Sequence, residues 1–195
     1  MSKFTKQALI ESFLKISAEK PIEKITVRDI VEDCGVNRNT FYYHFADIYA
    51  LIETLLMCET EKAVLCSRKE ASLSAGCNAI IAWIREHRES FRNIYFTIGR
   101  DSVEYAISKV FDNAMLAHVK HRAKGQELVL RESDALLIVD VCRNVFFGAL
   151  ADWMKRGFRN DPSEYLVRIE GVFGDAITDA IRRSAALPPS LHEES

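Results

Sequence analysis

The chain has 195 residues, a formal charge of -2 and 48% hydrophobic residues. That is enough apolar material for a sizeable core in one large or two small domains. It is too little positive charge for a protein that coats nucleic acid by charge alone. Eight glycines and four prolines favour long helices over many turns, so the expected class is all-α.

The spacing predicts a first helix over residues 3–18, with Ala8, Leu9, Phe13, Leu14 and Ile16 on its apolar side. Pro21 prevents its continuation. Thr26 can cap the next helix, and Asp29 three residues on completes a capping-box pair, with its charge near the positive end of the helix dipole. Ile30, Val31 and Cys34 form one apolar side. Gly35 stands where a left-handed helix ending needs glycine, and Val36 can plug the corner. Asn37 is a good cap for a third helix. Phe41 and Phe45, four apart, share the inner face of that helix. Its remaining side chains are Arg38, Asn39, Thr40, Tyr42, Tyr43 and His44.

That exposed set is not an ordinary solvated face of lysine and glutamate. Arginine and asparagine can make bidentate bonds to guanine and adenine edges in the major groove. Threonine, tyrosine and histidine can bond phosphate oxygens and fix the pose. An apolar underside, a rigid corner and donors at the start of the second helix are what a helix-turn-helix requires.

Here the chain resembles the TetR family of one-component transcriptional regulators. The resemblance rests on Ile25-Thr26-Val27-Arg28-Asp29-Ile30, on Cys34-Gly35-Val36 and on Thr40-Phe41-Tyr42-Tyr43-His44-Phe45. It extends upstream through Ala8 to Ser17 and downstream through Leu51 and Leu55. One position departs from it: where the family often has a phosphate-contacting lysine, this chain has Ile48. The resemblance and the surface chemistry together mark Thr26, Arg28, Asn37 and Arg38 as candidate DNA contacts, with Asn39, Thr40, Tyr42, Tyr43 and His44. Over residues 1–50 seven Lys and Arg balance seven Asp and Glu. Binding is therefore expected to rest on a few placed cations, doubled in a dimer, and to be salt-sensitive.

Asp47 can cap a fourth helix that runs to about residue 68 and links the reading head to the rest. The expected division is a helix-turn-helix domain over 1–46, a connecting helix over 47–70, an effector-binding and dimerisation domain over 71–187, and a disordered tail over 188–195. The second domain also reads as helices: 74 to about 86, 89–98 closed by Gly99, one capped by Asp101 to about 122, and one capped by Ser133 to about 156. Asp161-Pro162 is a strong start signal for the last, which runs to about 185.

From Ala135 to Met154 the apolar residues go nearly all the way round. Such a helix must be buried on all sides, and one protomer can cover only one of them. The last helix, with Leu166, Ile169, Ile177 and Ile181 and with Gly171 and Gly174 permitting close approach, repeats the theme. Both are expected to pair with their copies in a two-fold four-helix bundle. The resemblance implies the same homodimer, and the stretch from Trp153 to Pro162 looks like the family's junction before its dimer helix. Two heads would read a palindrome-like operator in double-stranded DNA.

The middle helices are rich in aromatics. Trp83, Tyr95, Phe96, Tyr105, Phe111 and Phe147 are candidates to line an effector cavity, since such cavities are mostly apolar. Asp140, Arg143 and Asn144 interrupt an apolar helix, where charge is costly unless paired. Either they pair with each other or across the dimer, or they orient a polar group of a small-molecule effector.

No cofactor or metal is expected. His118 and His121 lack convincing further ligands, and neither a phosphate loop nor a catalytic elbow is present. Cysteines 34, 58, 66, 77 and 142 show no C-x-x-C spacing, so they read as packed reduced thiols. The N-terminus alternates charged and apolar residues, without a secretory or transit peptide. The most apolar run, Ala135 to Ala151, is broken by charge and is not expected to span a membrane. The expected function is therefore a cytoplasmic homodimeric repressor released by a small molecule, not an enzyme. Two alternatives stand beside it: the same fold sensing oxidants through Cys66, Cys77 or Cys142, and a helical small-molecule-binding protein without DNA binding.

Overall fold

The computed structural model describes residues 2–70, 73–159, 163–164, 168, 172 and 175–186. Among them the helices are α1 (Ser2–Glu19), α2 (Val27–Cys34), α3 (Arg38–His44), α4 (Ile48–Glu70), α5 (Leu73–Glu86), α6 (Arg88–Ile98), α7 (Arg100–Gly125), α8 (Glu132–Lys155) and α9 (Ala176–Ala186). A short 3-10 turn, Ile22–Lys24, follows Pro21. No strand occurs among the described residues. The all-α class and the order of a helix-turn-helix head followed by a helical region hold.

The chain packs as two compact units, 1–109 and 110–195. In the first, α1 packs on α2, on α4 and on α6, and α4 lies along α5. Its core is Leu9, Ile10 and Phe13 of α1, Ile30 and Val31 of α2, Phe41, Phe45, and Leu51, Ile52, Leu55 and Leu56 of α4, all buried. Burying a side chain of this size contributes about 1.5–3 kcal/mol, and α3 packs on α2 over this layer. The α4–α5 approach depends on Gly76. A Cβ there would stand 3.0 Å from the Ala63 carbonyl oxygen and the Ser67 Cβ. Both α5 and α6 belong to the first unit.

In the second unit Phe111, Met115, Val119 and Ala123 of α7 recur every fourth residue and are buried. Phe111 stacks on Phe146 at 5.5 Å between ring centroids, and both touch Phe147. The α8–α9 seam is polar at one end. Arg131 donates to Asp134 at 3.0 Å and to the Ser184 carbonyl at 2.9 Å, and the Ser184 hydroxyl donates to Asp134. Among the described residues one side of α8 stays open. Leu136, Leu137, Val141 and Val145 are exposed, as is Val172.

Two expected caps are displaced. Asp101 lies in the first turn of α7, because that helix starts at Arg100 directly after Gly99, whose carbonyl accepts from Val103 N. Ser133 lies inside α8, which starts at Glu132 behind Arg131. The start signal Asp161-Pro162, the residues Leu166, Ile169, Gly171 and Gly174, and the tail lie outside the described residues.

Candidate nucleic-acid interface

The head is locked from its caps outward. The Thr26 hydroxyl accepts from Asp29 N while Asp29 Oδ2 accepts from Thr26 N at 2.7 Å, a complete capping box. The same oxygen accepts from the Thr26 hydroxyl and from Lys20 Nζ at 2.9 Å. These bonds, that of Lys20 first and those of Thr26 after it, hold the Asp29 carboxyl at a pKa of about 2. Gly35 ends α2 at φ 72°, and Val36 N returns to the Val31 carbonyl at 2.9 Å. A residue with a Cβ is strained in that conformation. Asn37 Oδ1 then accepts from both Thr40 N and the Thr40 hydroxyl, which starts α3.

Both ends of α3 are thus bonded, at Asn37 and by Phe45 N to the Phe41 carbonyl. Phe41 is fully buried and Phe45 nearly so. The opposite face is open to solvent: Tyr42 is 57% and Tyr43 78% exposed, and Arg38 and Asn39 are exposed. Thr40 and His44 are half-buried, with the His44 ring edge-on to Tyr43. The outer face therefore presents guanidinium, amide and phenol groups together. Thr26 and Asn37, also expected at the interface, spend their side-chain oxygens as caps; among the described residues Asn37 Nδ2 has no acceptor.

The cations are unevenly committed. Lys15 pairs with Asp33, Lys20 with Asp29, and Arg28 with Glu32. Among the described residues Arg38, Lys24 and Lys6 have no carboxylate partner, and Lys6 sits over the Phe45 ring. Ile48, in the place of the family's lysine, opens α4, which Asp47 caps through Ala50 N at 2.8 Å. Its neighbour Tyr49 is 59% exposed and brings a hydroxyl to that edge. The local pattern did not single it out.

A second set missed by sequence reasoning ties α6 to the head. Ser90 donates to the Leu14 carbonyl at 2.8 Å, Asn93 Nδ2 to the Ser17 carbonyl at 2.7 Å, and Thr97 to Glu23 at 3.2 Å. Ser90 and Ser17 are buried. These partners lie more than 70 positions apart along the chain, beyond any local signal.

The effector candidates fall into two groups. Trp83, Tyr95, Phe96 and Tyr105 belong to the first unit, where Trp83 and Tyr95 both touch Phe91. Phe96 and Tyr105 are exposed. Burial pushes the Tyr95 phenol up from its usual range. Phe111 and Phe147 are buried in the second unit, beside an ion triad in which Arg143 donates to Asp112 and Asp140 at 2.5 Å each. Asp140 and Asn144 are exposed, so of the three polar residues Arg143 alone is held inward. A groove of about 660 Å³ runs instead between α1 and the α5–α6 corner, lined by Glu11, Leu14, Lys15, Ala18 and residues 86–90. None of the nine effector candidates lines it.

The remaining chemistry is quiet. None of the five cysteines forms a disulfide among the described residues. Burial raises the Cys34 and Cys142 thiols above their ordinary range, which works against a reactive thiolate. Burial, and then Arg122 and His121, lower the pKa of His118, and no metal-holding cluster occurs among the described residues. Among them, no helix is long and apolar enough to cross a membrane.

Comparison with known proteins covers most of the chain. Residues 9–55 match the family described as bacterial regulatory proteins, tetR family, and residues 72–174 match a transcriptional regulator C-terminal region. Among solved structures the chain is similar to the dihydroxyacetone kinase operon activator DhaS, with a TM-score of 0.64 at 12% identity over 92% of this chain and 97% of that one. It is similar to the fatty acid degradation regulator FadR from Bacillus halodurans, at 0.60 and 13% over 93% and 94%. It is also similar to a tetR-family transcriptional regulator from Streptomyces coelicolor, at 0.59 and 16% over 96% and 90%. At these identities the likeness is one of fold. No curated protein matches the chain in sequence.

Proposed function

The chain belongs to the TetR family of transcriptional regulators, and on that premise we propose that it is a homodimeric repressor freed from its operator by a small molecule. The observation that carries the reading is the outer face of α3, where Arg38, Asn39, Tyr42 and Tyr43 stand exposed over a fully buried Phe41. Arg28, Arg38 and Asn39 reach base edges, while Thr40, Tyr42, Tyr43 and His44 hold phosphates, with Thr26 and Asn37 at the two helix starts. Tyr49 supplies a hydroxyl beside the position where the family's lysine is missing. A head whose charges cancel binds weakly alone, so two heads act together on a palindrome-like site.

The bare apolar side of α8 supports the dimer, because exposed apolar surface of this kind seeks a partner. The effector binds in the helices that follow the head within the first unit, among the aromatics, where Trp83 and Tyr95 pack on Phe91 of α6. The bonds from Ser90, Asn93 and Thr97 then carry a shift of α6 to α1, and with it the spacing of the two heads. A ligand acts this way only if it favours one of the two arrangements. The protein works where operator DNA is, in the cytoplasm.

The test is selection of bound sequences from a random duplex pool, followed by a ligand screen for release. Recovery of a two-fold symmetric sequence, and its release by a compound, are expected. Enrichment of no sequence above background at low salt would contradict the reading. Effector-enhanced binding would retain the regulator and reverse the sign.

A further inference from the structure

At the second position of α2, the Arg28 Nε donates to Glu32 Oε1 at 2.6 Å. Both side chains stand in solvent, at 69% and 61% exposure, and among the described residues Glu32 has no other hydrogen-bond partner. An exposed pair of this kind adds little to stability. The backbone that carries Arg28 is nonetheless held. The capping box of Thr26 and Asp29 freezes the first turn, and Lys20 anchors Asp29 in turn.

The choice of nitrogen matters. Guanidinium has five N–H donors in one plane. With Nε–H spent on Glu32, the four that remain lie on the two terminal nitrogens, which form the end-on fork that matches guanine O6 and N7. A guanidinium without this support can swing onto a phosphate, where it carries no sequence information. The Glu32 carboxylate also repels phosphate.

We propose that Glu32 is a specificity-determining residue, which holds the Arg28 fork edge-on to a guanine and keeps that guanidinium off the phosphate backbone. The proposal rests on reading α2 and α3 as the DNA-contacting surface. It goes beyond that reading by assigning a role to a residue that touches no DNA.

The experiment compares wild type, Glu32→Ala, Glu32→Gln, Arg28→Ala and the Arg28→Ala/Glu32→Ala double variant. Each is titrated with the selected operator, with its single-base-pair variants and with unrelated duplex, at two salt concentrations. Glu32→Ala is expected to lose discrimination at one base pair per half-site by roughly 5- to 20-fold, at the pair that Arg28→Ala also loses. Its binding to unrelated duplex should tighten and depend more steeply on salt. Glu32→Gln, which keeps an acceptor oxygen, should retain part of the preference. In the Arg28→Ala background Glu32→Ala should change nothing further at that pair. Unchanged preferences in Glu32→Ala, with wild type still selecting its operator, would overturn this proposal alone. Wild type that selects no operator would overturn it together with the functional reading. Unfolding temperatures close to wild type in every variant exclude a folding cause, as the exposure of the pair leads one to expect.

Discussion

Among the described residues, the solvent-facing sides of α3 and α8 differ in kind. On α3 every exposed side chain can donate or accept a hydrogen bond: Arg38, Asn39, Tyr42, Tyr43. On α8 the exposed stripe is Leu136, Leu137, Val141 and Val145, with Asp140 and Asn144 between. The first face is stable in water and exchanges water for another polar surface. The second loses free energy in water and gains it only against an apolar partner. Exposure alone therefore says little; the groups left exposed say what each face meets.

The largest effect is expected beneath the first face. Phe41→Ala should cost about 3–5 kcal/mol, as for other fully buried aromatics, read by denaturant unfolding. A cost near zero would mean that α3 is not anchored as described. Next comes the second face. Val141→Glu should convert dimer to monomer in sedimentation and weaken operator binding by roughly 100-fold, since each head then binds alone. An intact dimer would move the interface elsewhere. Tyr42→Ala should leave unfolding nearly unchanged yet weaken operator binding by about 1 kcal/mol, the loss of one phosphate hydrogen bond. Equal loss of stability and affinity would erase the distinction between the faces.

The smallest effect is in pH. The Asp29 carboxyl titrates near 2 when folded, below its unfolded value near 3.9. The folded state therefore gains stability above the unfolded value and loses that gain as pH falls from about 4 to 2. Asp29→Asn should flatten this limb of the stability curve measured by thermal unfolding. An unchanged limb would show that Lys20 and Thr26 do not hold the carboxylate.

How much of this was legible in the sequence follows from the range of each interaction. Thr26, Asp29, Gly35, Asn37 and Asp47 act within five residues, and all five were readable as caps or stops. Phe41 and Phe45 were readable from spacing. For α8 the sequence showed apolar residues on every side, and only the fold separates Phe146 and Phe147 inside from Leu137 and Val141 outside. Asp101 and Ser133 were good capping residues in the wrong register, one position inside helices set by Gly99 and by the Arg131–Asp134–Ser184 cluster. The links from Ser90, Asn93 and Thr97 to α1 and its following turn had no local signal at all. The nine effector candidates were chosen by composition, and they divide between the two units.

The most direct test of the central claim is fluorescence anisotropy of a labelled selected operator at fixed salt. Wild type is compared with an Arg38→Ala/Asn39→Ala/Tyr42→Ala variant whose unfolding and sedimentation are shown to be unaltered. The expected result is a variant that is folded and dimeric but binds operator no better than unrelated duplex. A variant that keeps its preference for the operator would contradict the claim that the outer face of α3 reads DNA.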